Sequence, residues 1–336
     1  MIEGHGDDLY RYGGKVRHNF SSNIRDFGSH EALIRHLASK EHLLRSYPEP
    51  EPRRLEEALA VPLGIALEQV MAFNGATEAI YMIARRYAGA VSGIDTPTFS
   101  EYEDACRLNG HTITDSDDPR CRLLWTCNPN NPTGTATSPE AMARVLDADP
   151  DRITVVDASY AGYSVAPVMG ISEMLTRSNV LVLGSFTKRF GIPGVRLGYL
   201  AGAPELLEPL RRMRMPWSMG ALSIEAGLYL LEHAIDFNID STGLHREALR
   251  IATAFNNMGI ATSATDCNFL LCRLPFGDAA ELKEWLVERY GILIRNASNF
   301  RGLDSRYFRV AAQTPAENDL LIEALGKWTD LSLIIL

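Results

Sequence analysis

The chain has 336 residues, of which 46% are hydrophobic and 22% charged, and its net charge is −9. That length allows one large domain and a smaller one, and the composition supports full cores rather than disorder. The acid excess argues against a nucleic-acid surface, which needs a basic face, but leaves room for a small anion held by local positive charge.

In chain order, the first forty residues are rich in loop formers. FNGATEAIYMIA (73–84) places a Gly-Ala-Thr turn at the start of a helical pattern that runs over 77–88. Further helical patterns follow at 101–110 and 139–148. Between them lie continuous apolar runs that end in polar residues: CRLLWTCN (121–128), ITVVDASY (153–160) and VLVLGSF (180–186). Such runs suit strands buried on both faces of a parallel sheet. The alternation is that of a doubly wound α/β domain, where ligands bind beyond the carboxyl ends of the strands.

From about Met213 the pattern changes. MPWSMGALSIEAGLYLLEHA predicts a helix entered after Pro216, with helical sequence continuing to about Met258. Strands are expected at NFLLCRL (268–274), ILIRNA (292–297) and YFRVAA (307–312), with a helix at 279–290 between the first two. This predicts a small α+β layer. The expected division is residues 40–235 for the large domain, and 1–39 with 236–336 for the small one.

The polar strand ends carry the chemistry. Lys188 follows the run VLVLG, and a desolvated lysine has a lowered pKa and can form a Schiff base. Asp157 ends ITVVD, where a carboxylate could pair with a protonated pyridine nitrogen. Tyr160, three residues on, could bond a ring hydroxyl. CNPNNPTG (127–134) forms a rigid turn with amides and Asn side chains aimed outward. The helix start at Ala76 and Thr77 could hold a phosphate, with Ser185, Thr187 and Arg196 as further donors. Each feature alone has a plainer reading: a surface lysine, a turn aspartate, a packed tyrosine, an ordinary loop.

Together these residues resemble the aspartate-aminotransferase-like superfamily, the fold type I enzymes that use pyridoxal 5′-phosphate (PLP). The resemblance runs from Asn19 to about Ala311. It implies a large PLP domain with a mostly parallel sheet plus a small α+β domain. It implies Lys188 as the Schiff-base lysine and Asp157 on the pyridine nitrogen. Asn131 and Tyr160 would bond the phenolic oxygen, and Ala76, Thr77, Ser185 and Arg196 would hold the phosphate. Tyr102 would stack on the cofactor, and Tyr47 would reach the phosphate of a partner subunit, so a homodimer is implied. Arg309 would grip the substrate carboxylate or another anion.

Within the superfamily, the chain looks like the branch of histidinol-phosphate aminotransferases and L-threonine O-3-phosphate decarboxylases, and more like the decarboxylases of cobalamin biosynthesis. The strings that carry this are HG (5–6), NFSSNI (19–24), YPEP (47–50), KRFGIPGVRLGYL (188–200), MPWSMGA (215–221) and ILIRNASNFRGLDSRYFRVA (292–311). AAQT (311–314) departs from the decarboxylase pattern, which has a further arginine there. Both substrates of the branch are amine monophosphate esters. Arg295, Arg309 and Arg306 could clamp their anionic groups, with His5 and Asn23 as neutral donors. For the arginines, a surface ion pair is the plainer alternative. The Cα bond that stands perpendicular to the PLP ring is the one broken, so the clamp selects decarboxylation or transamination; only the resemblance favours decarboxylation. A non-catalytic, ligand-sensing role is the remote alternative. It usually goes with an added DNA-binding domain, for which this acidic chain has no room.

Five scattered cysteines without zinc spacing fit a reducing cytoplasm. The opening MIEGHGDDLYRYGG lacks the apolar stretch of a signal peptide, and no apolar run reaches the ~20 residues of a membrane span. The closing LSLIIL is expected to be a packed edge.

Overall fold

The computed structural model describes residues 6–25 and 30–335, with side chains as far as Asp330. Its strands are β1 (His18–Asn19), β2 (Val70–Phe73), β3 (Val91–Ile94), β4 (Thr112–Thr114), β5 (Leu123–Cys127), β6 (Ile153–Asp157), β7 (Val180–Ser185), β8 (Gly198–Gly202), β9 (Ala261–Thr262), β10 (Phe269–Arg273), β11 (Ile292–Leu293), β12 (Arg295–Asn296) and β13 (Tyr307–Ala311).

A seven-stranded sheet in the order β2-β8-β7-β6-β5-β3-β4 forms the larger layer. The neighbours from β7 through β4 pair in parallel, and β8 runs antiparallel to both β2 and β7. Successive side chains of a strand point to opposite faces, and here both faces are covered. Val155 joins Leu123, Leu181 and the helix residues Ile80, Ile83 and Ala105 on one side. Val156 joins Val180, Val182, Met142 and Leu146 on the other. Each such aliphatic residue, once buried, contributes roughly 1.5–3 kcal/mol. This two-sided burial is why β5, β6 and β7 are legible as unbroken apolar runs.

Strand β8, by contrast, has no propensity signal. Its sequence GYLAG is defined by close approach: a Cβ on Gly198 would lie 2.4 Å from the Ala76 nitrogen, and one on Gly184 would lie 2.1 Å from the Tyr199 ring. Only glycine lets these neighbours touch.

The second sheet has the order β12-β13-β10-β9. Phe20, Phe255, Leu282, Leu286, Phe308 and Leu321 pack in its core. The run ILIRNA, expected as one strand, is two. Ile292–Leu293 pairs in parallel with His18–Asn19, while Arg295–Asn296 pairs antiparallel with β13. The two halves have different partners, so the ladder breaks at Ile294.

Other expectations need correction. The helix expected just after Pro216 begins at Ala221, because Trp217 has φ 58 and the chain turns there before Gly220. The long helix to Met258 is interrupted by a 3₁₀ turn at Ala234–Phe237. It restarts at Ser241, where the Asp240 side chain accepts from Gly243 N. Residues 1–39 were expected with the small layer. The helix Glu31–Ser39 departs from this, since Leu33 packs with Leu55, Ile224 and Leu230 against the large sheet. Rather than forming an edge, Leu331–Ile335 of LSLIIL continue the helix Pro315–Ile335. Among the described residues no helix is long and apolar enough to cross a membrane.

Candidate active site

Strands β5, β6 and β7 point the same way, so Cys127, Asp157 and Ser185 end on one edge of the sheet. Phe73 and Ser185 both pair with Gly198, which brings the start of the helix Ala76–Arg86 to the same edge. Here a cavity of about 310 Å³ opens between the edge and the second sheet.

At one end lie Ala76, Thr77, Ser185, Thr187 and Arg196. Gly75 has φ 87, and a Cβ there would come within 2.5 Å of Arg196 Nη2. With Gly198 it lets the helix start and the arginine meet in a tight cup. Free N–H groups, the helix dipole and a guanidinium facing one space suit a phosphate. Arg196 Nη1 is also tied to Pro193 O at 3.1 Å.

In the middle lie Asp157, Tyr160, Tyr102, Asn131 and Lys188. Asp157 accepts from the Tyr102 hydroxyl at 2.6 Å and from Ser159 N at 2.9 Å. Tyr102 is fully buried and stacks on Trp125 at 5.4 Å. Burial and the Asp157 charge push its phenol well above the usual range. Burial does the same to Tyr160. The Asn-Pro loop divides its labour. Asn128 locks the loop through Thr137 N and O, and Asn130 bonds Pro97 O, while Asn131 faces the cavity. The Asn128–Pro129 and Asn131–Pro132 bonds are cis.

Lys188 sits in the short helix Phe186–Phe190 directly after β7, and its Nζ donates to Ser22 O at 2.7 Å. Desolvation, reinforced by the Arg309 charge, lowers its pKa to about 7. That value leaves a large neutral, nucleophilic fraction at neutral pH.

At the far end, Arg295 and Arg309 are partners across the β12–β13 ladder, and each is 4% exposed. Arg309 donates to Asn131 Oδ1, and to Ser21 O at 2.6 Å. Arg295 donates to Asn299 Oδ1 at 2.8 Å, and its guanidinium lies 5.1 Å from the Phe300 ring centre. Burial lowers Arg309 to about 10; burial and then the Arg309 charge lower Arg295 to about 9. Neither has a carboxylate ion-pair partner among the described residues. Two buried cations without a direct ion-pair partner are costly, and an entering anion would relieve that cost.

Not every expected residue reaches this cavity. Tyr47 is 85% exposed, packs on Trp217 at 5.4 Å and does not line the cavity of its own chain. Arg306 forms a rim ion pair with Asp304 at 3.0 Å, the plainer of its two readings. Asn23 is fully buried and does not line the cavity. His5 lies outside the described residues. In the departing AAQT segment, Gln313 is buried and its amide donates to Ile24 O at 3.1 Å. The cavity also includes Asp7, Ser21, Ser22 and Phe300, which the sequence reading did not single out. Ser21 and Ser22 lie inside the quoted NFSSNI, yet both hold cations through backbone oxygens, which side-chain chemistry does not announce. Asp7 has no sequence signal at all.

The family model for aminotransferase class I and II matches residues 17–325. The chain is 30% identical to the threonine-phosphate decarboxylase of Salmonella typhimurium over 91% of its own length and 90% of that protein. It is 29% identical to a histidinol-phosphate aminotransferase of Desulfitobacterium hafniense, covering 88% of this chain and 87% of the other. The crystal structure of L-threonine-O-3-phosphate decarboxylase from Porphyromonas gingivalis superposes with a TM-score of 0.89 at 34% identity, over 94% of this chain and 100% of that one. With the matched segment running from before β1 into the last helix, and so enclosing all three sheets and nearly all of the cavity, the chain belongs to the aminotransferase class I and II family.

Proposed function

We propose that the chain decarboxylates L-threonine O-3-phosphate to (R)-1-amino-2-propanol O-2-phosphate, with PLP carried on Lys188. The observation that carries this reading is the pair of buried arginines, Arg295 and Arg309, neither held in an ion pair among the described residues, in the same cavity as Lys188 and Asp157. The similarity to threonine-phosphate decarboxylases, at 30% and 34% identity, supports it.

When bound, PLP supplies an aldehyde that takes up amines and a ring that accepts the electron pair of a broken Cα bond. The cup of Ala76, Thr77, Ser185 and Arg196 would hold its phosphate. Asp157 would keep a proton on the pyridine nitrogen, Asn131 and Tyr160 would bond the phenolic oxygen, and Tyr102 would cover the ring. Arg309 and Arg295 would bind the substrate's two anionic groups and so decide which Cα bond stands out of the ring plane. After CO2 leaves, a proton must be returned to carbon, and Lys188 Nζ is the group in reach. His5 is proposed as a neutral donor on the substrate side.

The deciding assay incubates each amine phosphate separately and follows CO2 release and 2-oxoglutarate consumption. CO2 release from L-threonine O-3-phosphate is expected, with little or no 2-oxoglutarate-dependent turnover of histidinol phosphate. Efficient transamination of histidinol phosphate without CO2 would replace this reading with an aminotransferase one.

The active unit is proposed to be a cytoplasmic homodimer. Tyr47, exposed and absent from the lining of its own cavity, would reach the partner's cofactor phosphate. Tyr47→Phe removes one bond to a charged group, so PLP retention in equilibrium dialysis should weaken by roughly tenfold with folding intact. A fully active monomer in analytical sedimentation would rule the arrangement out.

A further inference from the structure

Cations outnumber carboxylates in the cavity. Lys188, Arg196, Arg295 and Arg309 line it, against Asp157 and Asp7 among the described residues. Asp157 is engaged by Tyr102 and Ser159. Asp7 stands on the N-terminal segment, which side-chain contacts pin to the helix Ala279–Tyr290. Lys283 Nζ bonds Asp8 at 2.6 and 2.8 Å, and the Tyr12 hydroxyl bonds Glu284 at 2.8 Å.

Asp7 has φ 63, a left-handed conformation that costs a non-glycine residue free energy and is kept where the surroundings impose it. Here they do so through a closed set of bonds. Asp7 N donates to Ser21 Oγ at 2.9 Å, Ser21 Oγ donates to Asn19 Oδ1 at 2.8 Å, and Asn19 Nδ2 donates to Asp7 Oδ1 at 2.6 Å. The carboxylate is thereby oriented rather than free to swing into solvent.

Besides Arg295 on β12, the charged groups that line the cavity with Lys188 come from four parts of the fold. Arg309 projects from β13, Arg196 from the turn before β8, Asp157 from the end of β6, and Asp7 from the N-terminal segment. The Tyr160 ring centre lies 5.6 Å from Nζ, and the Tyr163 hydroxyl bonds the Lys188 carbonyl at 2.9 Å. The arginines disfavour a positive charge on Nζ, and the two carboxylates favour it, Asp7 more than Asp157.

We propose that Asp7 is a positioning residue for Lys188: its carboxylate, fixed by Asn19 and Ser21, holds the proton on Nζ against the surrounding arginines. A lysine that returns a proton to carbon must carry one at the working pH, and burial among arginines removes it. Asp7 offsets that loss. The role goes beyond the decarboxylase reading, because it concerns the lysine whichever Cα bond breaks. It rests on Lys188 as the cofactor-carrying residue, which chemical labelling tests separately.

The test compares the full-length wild type with Asp7→Asn and Asp7→Gly. Both replacements tolerate a positive φ, and the asparagine keeps an acceptor for Asn19 Nδ2, so Asp7→Asn separates loss of charge from loss of the bond. In cofactor-free protein, an amine-reactive reagent followed by peptide mass mapping gives the pH midpoint of Lys188. In PLP-loaded protein, the cofactor absorbance band is titrated in parallel. The Lys188 midpoint should fall by about 1 pH unit in both variants, the size expected for loss of a nearby opposite charge. The direction separates the proposal from a purely structural role. A loosened segment would admit water, ease desolvation and raise the midpoint. An unmoved or raised midpoint in the two variants overturns the proposal.

Discussion

Lys188→Ala is expected to lower kcat/KM for decarboxylation by at least about a thousandfold, since it removes both the covalent anchor and the proton carrier. Desolvation at the end of β7 and the Arg309 charge bring the Lys188 pKa to about 7. At neutral pH roughly half the amines are then free to attack an aldehyde, whereas an ordinary lysine offers less than about one in a thousand. The neutral amine is the nucleophile, so PLP uptake by cofactor-free protein should accelerate as pH rises through neutrality and then level off. An unperturbed lysine would keep accelerating to above about pH 10. Borohydride reduction of the loaded protein and peptide mapping should place the pyridoxyl group on Lys188. A label on another lysine, or uptake that does not level off, would remove the basis of the proposed mechanism.

Arg309→Ala is expected to lower kcat/KM by about a hundredfold or more. A charge-assisted clamp in a desolvated site is worth about 3 kcal/mol, and the substitution also leaves Asn131 Oδ1 and Ser21 O without their donor. Arg309→Lys should recover only part of the loss, because an ammonium cannot bridge Asn131, Ser21 and an anion in the fixed fork of a guanidinium. Steady-state kinetics separate the causes. A rise in KM alone would make Arg309 a general anion binder. A fall in kcat as well is expected, because the clamp also sets the angle of the scissile bond. Unchanged kinetics would move the substrate site away from β13.

The middle of the chain is the most legible part. A parallel strand covered on both faces has to be apolar throughout, so the point where it leaves the core shows as the first polar residue. Asp157, Asn131 and Lys188 stand out on that account, as side chains at or just beyond the carboxyl ends of β6, β5 and β7. The helix at Ala279–Tyr290 is likewise visible in its periodicity, starting just after Asp278, whose side chain caps Ala280 N. Strand β8 is invisible by the same reasoning, since glycines chosen for close approach carry no strand propensity.

What the sequence by itself determined, then, is the set of side chains that can do chemistry and the strand ends that carry them, because core burial and turn chemistry are written locally. Only the tertiary structure decided how they meet. The break in ILIRNA puts Arg295 opposite Arg309, and Tyr47 does not line the cavity of its own chain. Lys188 finds its acceptor 166 residues away, and Arg309 finds one 288 residues away, in both cases a backbone oxygen. Every residue has such an oxygen, and its partner is selected by topology rather than by residue type, so nothing at those positions marks the contact before the chain folds.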